Sequence, residues 1–344
     1  MSQFTYTVPI QRMQAFAGLA ARRGWDVDSL MRSAGVSPLL LTQDRSRVTT
    51  QQASSLVWQL LRTTGDELFG LSVAAVPPGT VRMLGFALLG AADLGQALQR
   101  FQSFKHALPG IPPVLVGTDA DDKVTTVSID LSGIPDPLDL LVDTSLAAMH
   151  RTMGWATKGR IPLQRIEIPH PHPPNVDDYD IVFGAPIVFC AARPALVFPS
   201  NVLAAPIMRS DLELDQFLRN APAQIMSRRD YAVSLTDRVR RMIERGLSSR
   251  WPTPDDIADR LAMSPQTLRR KLGDENTSLS RIREDILRDA AITSLASTQE
   301  SIAALSTRLG FSEPSAFTRA FRRWTGCAPG TYRLDPERRQ SARR

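Results

Sequence analysis

Two stretches of the chain carry side chains suited to reading nucleic-acid bases. Gln266, Thr267, Arg269 and Arg270 crowd into one of them, and Ser315, Thr318, Arg319, Arg322 and Arg323 into the other. A glutamine amide pairs bidentately with adenine and a guanidinium with guanine, whereas an arginine on a phosphate positions without specifying sequence. Leu268 and Leu272 lie four apart in the first stretch, as do Phe317 and Phe321 in the second. That is helical spacing, so the apolar pair faces a core and the polar residues face outward. Arg322 and Arg323, late in the second helix, suit phosphates.

The elements that must position these residues are legible on either side. DDIADRLAMSPQTLRRKL (255–272) and SIAALSTRLGFSEPSAFTRAFRRW (301–324) each read as an apolar helix, a short turn and a second helix. A helix-turn-helix sets a recognition helix in a DNA major groove in this way. In the first unit (about 255–273) Ile257, Ala258 and Leu261 pack, Ala262 and Met263 turn, Ser264 caps and Pro265 opens the recognition helix. Asn276 is expected to close that helix in the left-handed conformation. In the second unit (about 301–324) Ile302, Leu305 and Leu309 pack, Gly310 turns, Phe311 anchors and Ser312 caps. Aligned on the arginine, Arg270 matches Arg319, and the second recognition helix is expected to carry one extra residue before that register. A linker helix over about 280–297 would span roughly 27 Å. With its turns, that could separate the two readers by about one DNA turn, ~34 Å. Its acidic face, Glu284, Asp285 and Asp289, should point away from DNA or hold arginines of neighbouring helices.

Charge follows the same division. Residues 228–344 hold 23 Lys/Arg against 15 Asp/Glu, a net of +8, which leaves the first 227 residues at −2 of the whole chain's +6. A basic segment beside a near-neutral one suits nucleic-acid binding joined to a sensing or assembly module. The two cysteines, Cys190 and Cys327, have no metal-ligand spacing and read as buried free thiols in a reducing compartment. No apolar run approaches a membrane span, and the beginning of the chain shows no secretory signal, so a cytoplasmic location is expected.

Residues 1–227 are expected to form an α+β domain. Residues 9–104 read mostly as helices, with Gly35 ending one and Thr50 capping another. PVLVGTDADDKVTTVSIDL reads as a hairpin, DPLDLLVDTSLAAMHRTMGWA as a long helix with Pro137 near its start, and LQRIEIPH as a strand. IVFGAPIVFCAARPALVFP reads as short strands, and Pro206 to about Ser227 as helical. Four or five strands are too few for the roughly eight of a jelly roll.

Residues 232–334 resemble the DNA-binding domain of the AraC/XylS family of bacterial transcription regulators. The resemblance rests on SPQTLRRKL, on ILRDAA in the linker helix, and above all on LGFSEPSAFTRAFRRWTGCAPGTYR. Three positions depart from the family pattern: Ala262 in the first turn, Asn276 after the first recognition helix, and Pro314 in the second. Residues from about 20 to 205, especially YDIVFGAPIVFCAARPALVFPSNVLAAPI, are similar to the effector domain of the ornithine- and virulence-regulator branch of that family. The resemblance implies an α+β effector domain over 1–227 and an all-α, two-unit DNA-binding domain over 228–344. It implies a promoter-binding regulator, an activator that is also a candidate for autoregulation, working with RNA polymerase and answering to a small-molecule effector. With two readers in one chain, a homodimer is an option rather than a requirement.

Other chemistries read weakly. His170 and His172 lack a third metal ligand and read as a surface loop turned by prolines. Asp119, Asp121 and Asp122 lack the glycine and terminal glutamate of a calcium loop and read as a hairpin turn. Ala97, Leu98, Phe101 and Phe104, and likewise Trp155, Phe183 and Phe189, suit a core first and an effector pocket second. No Ser/His/Asp set, GxSxG, GxGxxG or Walker loop is present, so neither an enzyme nor a bound cofactor is expected. The competing reading is a non-specific architectural DNA binder, against which the polar residues on both recognition helices argue.

Overall fold

The computed structural model describes residues 6–132, 134, 139–174, 176, 178–226, 235–246, 252–275 and 277–333. β1 (Thr7–Pro9) passes without a spacer into α1 (Ile10–Arg22), and α2 (Val27–Ser33) follows, its first turn capped by the Asp26 carboxylate. A 3-10 turn (Pro38–Thr42) leads to β2 (Arg47–Thr49), which passes without a spacer into α3 (Thr50–Thr64). Next come α4 (Thr80–Leu89), α5 (Leu94–Ser103), β3 (Val114–Thr118), β4 (Val124–Ile129), α6 (Leu140–Ala156) and β5 (Arg165–Ile168). After these lie α7 (Tyr179–Phe183), β6 (Ile187–Phe189), β7 (Ala195–Pro199), α8 (Asp211–Arg219) and α9 (Ala221–Met226). The remaining described elements are helical: α10 (Leu235–Gly246), α11 (Pro254–Arg260), α12 (Pro265–Asp274), α13 (Leu279–Ser297), α14 (Ile302–Arg308), α15 (Pro314–Thr325) and a final 3-10 turn (Pro329–Tyr332).

These elements form two compact units. One gathers residues 11–34 and 51–229. Its sheet runs β3-β4-β7-β5-β6, antiparallel except for the β5–β6 pair. β4 alternates, burying Thr125, Val127 and Ile129, and β7 buries Ala195 through Phe198 without alternation, as a strand covered on both faces does. Leu98 of α5, Leu146 of α6 and Phe183 of α7 pack in one core with the sheet's Val127, Ile166 and Leu196. The Asp-rich segment is a hairpin turn, with Asp119 accepting from the amides of Lys123 and Val124 at 2.7 and 3.0 Å.

The elements and cysteines depart from expectation in two places. The Ile-Val-Phe run before Gly184 ends helix α7 and is not a strand, because Tyr179 and Phe183 bury one helical turn apart and Gly184, at φ +64, breaks the turn there. The cysteines are not both buried: Cys190 is exposed just beyond β6, and Cys327 is half-buried. Pro137 and Asn276 lie outside the described residues.

The second unit gathers the helices from α10 onward together with two N-terminal segments, up to Ile10 and from Gly35 to Thr50. β1 and β2 pair antiparallel, Val8 opposite Val48, and this ribbon packs on α13. Thr7 donates its hydroxyl to Asp289 of α13 at 2.6 Å. Buried Arg47 bonds back to the Thr7 hydroxyl and carbonyl, both at 2.9 Å, and its own amide donates to the Tyr332 hydroxyl at 3.1 Å. Ser46 donates to the Thr325 carbonyl at 3.3 Å. Each bond is worth about 1 kcal/mol net, but losing one partner strands a buried polar group at a cost of about 1–3 kcal/mol. No helix among the described residues is long and apolar enough to cross a membrane.

Candidate DNA interface and effector pocket

The two helix-turn-helix units are built alike. Thr253 caps α11 in a reciprocal box with Asp256, and Ser301 caps α14 through the Ala304 amide at 3.0 Å. Ala262 then turns the chain at φ +53 and Gly310 at φ +82, both left-handed. Leu268 and Leu272 of α12 bury against Ile257 and Ala258 of α11, Val239 of α10 and Ile282 of α13. Phe317 and Phe321 of α15 are fully buried in an aromatic chain, with Phe311 edge-on to Phe317 at 5.5 Å and Tyr332 edge-on to Phe321 at 5.2 Å. Truncating either phenylalanine to alanine would cost about 3–5 kcal/mol.

The registers of the two recognition helices coincide. α12 and α15 both begin on proline, and Arg270 and Arg319 each stand five residues later. The extra residue expected in the second helix belongs to the turn before it. Glu313 takes the cap position and displaces Ser312, because proline's fixed φ suits the first helical position and sets where each helix starts.

Gln266, Arg269, Arg270, Ser315, Arg319, Arg322 and Arg323 are exposed; Thr267 and Thr318 are half-buried. Thr267 is held at the cap, its amide on the Ser264 hydroxyl at 3.1 Å, and Thr318 donates back to the Pro314 carbonyl at 2.9 Å. The Ser315 hydroxyl donates to Glu313 at 3.2 Å. Arg270 faces Asp274 at 3.9 Å, an exposed pairing worth little. Arg319 has no ion pair among the described residues. Arg323 instead reaches Glu284 of α13 at 2.6 Å. Asp285 holds Arg288 at 2.9 Å and Arg240 at 3.5 Å, so the linker's acidic face binds arginines of its own and neighbouring helices. Behind α14, Glu300 takes two bonds from Arg308, which hold its carboxyl down at about 2.

The other unit contains a largely apolar cavity of about 760 Å³, walled by α1, α3, α6, α7 and the ends of α8 and α9. Phe183 lines it. The other apolar candidates from the sequence do not: Leu98 and Phe101 belong to the sheet core, and Trp155 stacks on Phe217 at 4.5 Å. Sequence reasoning missed the polar wall altogether. Arg12 of α1 donates Nη1 to Asp143 at 3.0 Å, and Nε and Nη2 to Asp178 at 3.0 and 2.8 Å. Tyr179 donates to Asp143 at 2.6 Å. His170 sits with Nε2 3.1 Å from Asp143 and Nδ1 2.9 Å from the Pro171 carbonyl.

His170 is therefore buried against a carboxylate, which corrects the surface-loop reading; only His172 is exposed. Burial alone would lower its pKa, but the bonds to Asp143 and the Pro171 carbonyl outweigh that and raise it. Burial likewise works against ionised Asp143, yet His170 and Arg12 bring its pKa below the ordinary carboxylate value. Burial and the Asp143 charge push Tyr179 up, so it stays a neutral donor. Among the described residues no three His, Cys, Asp or Glu side chains are grouped to hold a metal.

Residues 24–207 match the family described as the arabinose-binding domain of AraC transcription regulator, N-terminal, and residues 257–335 match a helix-turn-helix domain. The chain belongs to the AraC family of transcription regulators. It is 24% identical to the ornithine utilization regulator of Pseudomonas aeruginosa, over 96% of this chain and 97% of that one. An uncharacterized HTH-type transcriptional regulator of Mycobacterium tuberculosis is 25% identical over 94% and 95% of the two chains. The virulence regulon transcriptional activator VirF of Shigella flexneri is 30% identical over 30% of this chain and 39% of its own. The crystal structure of the transcriptional regulator CdpR from Pseudomonas aeruginosa covers 96% of this chain and 98% of its own, at 22% identity and a TM-score of 0.32. This AraC-family chain is thus a DNA-binding transcription regulator with an α+β unit and a helical unit.

Proposed function

We propose that this AraC-family chain reads two successive major grooves of promoter DNA through α12 and α15, and that a small molecule held in the α1–α3–α6–α7 cavity modulates that binding. The carrying observation is the shared register of two recognition helices, each with a buried apolar pair and an outward arginine at the same position. Gln266, Arg269 and Arg270 are assigned to base edges in one groove, Ser315, Thr318 and Arg319 in the next, and Arg322 and Arg323 to phosphates. Thr267 lies beside the phosphate backbone at the start of α12. The chain acts in the cytoplasm as an activator in contact with RNA polymerase, and binding within its own upstream region would make it autoregulatory. A ligand shifts DNA affinity only through unequal affinity for two arrangements of the protein.

Footprinting with the full chain on its own upstream DNA and on unrelated DNA tests this. Protection should fall in two blocks about one helical turn apart. Arg270→Ala with Arg319→Ala should abolish it. A single protected block of about 10 bp, or protection that survives the double substitution, overturns the two-groove reading. Equal protection of unrelated DNA would favour a non-specific architectural binder instead.

A further inference from the structure

The cavity's walls say what kind of molecule it accepts, given the reading that it is the effector site. Aromatic and aliphatic side chains, Phe16, Trp58, Phe69, Val182 and Phe183 among them, make most of the lining. A sugar carries hydroxyls all round its ring, and those set against that wall would lack partners even where Gln11, Thr144 and Ser145 serve the others. The polar wall is a closed set in which Arg12 serves two carboxylates, Asp143 and Asp178. All three nitrogens of that guanidinium already donate to Asp143 or Asp178, so its single positive charge is shared between two carboxylates before any ligand arrives.

The remaining charges around the cavity do not reverse this. Glu67 accepts from the amides of Gly79 and Val81, both at 2.7 Å, and Arg82 is paired with Asp215 at 2.6 Å. Asp139 and Arg219 are exposed. Counted together, the lining holds five carboxylates against three guanidiniums and His170. Asp178 is the carboxylate with capacity to spare. It is more than nine-tenths buried, and its Oδ2 accepts from Arg12 Nε alone among the described residues, where a carboxylate oxygen can take two donors.

We propose that the cavity takes a molecule with an apolar body and a cationic, amine-type head, seated with the head against Asp178 and the body along the aromatic wall. An anionic amphiphile of the same length would set its charge against the open acceptor side of Asp178, in surroundings that screen the repulsion poorly. A neutral one gains the apolar contact but not the charge.

Calorimetric titration of the full chain with decylamine, decanol and decanoate, each below its micellar concentration, tests this. The amine should bind at least about tenfold more tightly than decanoate, with the alcohol between them. Ala148→Trp, which fills the cavity, should remove binding, and Asp178→Asn should bring the amine down to the alcohol. Should Asp178→Asn fail to fold, the order of the three ligands on the wild-type chain decides alone. Decanoate binding as tightly as the amine, with Ala148→Trp abolishing both, overturns the head-group assignment and leaves the effector-site reading standing. Absence of binding by all three, or binding untouched by Ala148→Trp, overturns both.

Discussion

Gly310 and Ala262 do the same turning with different residues, and exchanging their identities should move stability in opposite directions. Both sit in the left-handed region, at φ +82 and +53. A methyl group added at Gly310 would meet no heavy atom within 4 Å, so Gly310→Ala changes conformational energy and nothing steric. A side-chain-bearing residue in that region costs about 1–2 kcal/mol. Alanine recovers about 0.4–1 kcal/mol of this by restricting the unfolded chain. The net expectation is a loss of about 1 kcal/mol for Gly310→Ala, and by the same balance a gain of about 1 kcal/mol for Ala262→Gly. Hydrogen exchange of the full chain, read by mass spectrometry on peptides from α11–α12 and α14–α15, resolves the two turns separately. Opening of α14–α15 should become about fivefold more frequent in Gly310→Ala, and opening of α11–α12 about fivefold rarer in Ala262→Gly, each leaving the other pair unchanged. If Gly310→Ala exchanged like wild type, or both changes had the same sign, the backbone argument would be refuted.

Arg319→Ala should cost about 1–3 kcal/mol at the preferred DNA site and relax selectivity at one position, whereas Arg322→Ala should weaken all sequences alike and lower the salt slope by about 1 in a binding titration. Arg323→Ala should do less than either, since that guanidinium already holds Glu284. The thermal stability gap between wild type and His170→Gln should be full below about pH 6.5, the unfolded histidine value, and close as pH rises through the raised folded value. A gap that widened with pH would show that His170 is not held as the imidazolium. Tyr332→Phe should cost about 1–3 kcal/mol in thermal unfolding by stranding the buried Arg47 amide.

The helical unit is legible in the sequence because its signals are local. Leu268 with Leu272 and Phe317 with Phe321 show their period within one turn, and Thr253-Pro254 and Ser264-Pro265 mark helix starts. The one-residue slip in the second unit arises because Ser312 is the capping type, yet Pro314 sets the helix start and leaves the cap position to Glu313, whose side chain makes no cap bond. The pocket's polar wall is illegible for the opposite reason. Arg12 and Asp178 are 166 residues apart and Asp143 lies between them, so no spacing relates them. His170, read through its prolines, looks like a surface loop until Asp143 is seen against it. β1 and β2 escape because three residues are too few to show alternation, and their pairing joins segments 40 residues apart.

The ribbon on α13 also sets the order in which a newly made chain can complete itself. Val8 and Val48, both buried in the helical unit, leave the ribosome well before the helices that cover them. The Tyr332 hydroxyl that receives the Arg47 amide is 285 residues downstream. At about 5–20 residues per second, the ribbon waits roughly 15–60 s for the surface it covers. Throughout that interval a short strand pair with unpaired edges stands open to other partners. Until α13 and Tyr332 emerge the ribbon cannot close, so nascent chains of this regulator should depend on chaperone protection of these two strands until then.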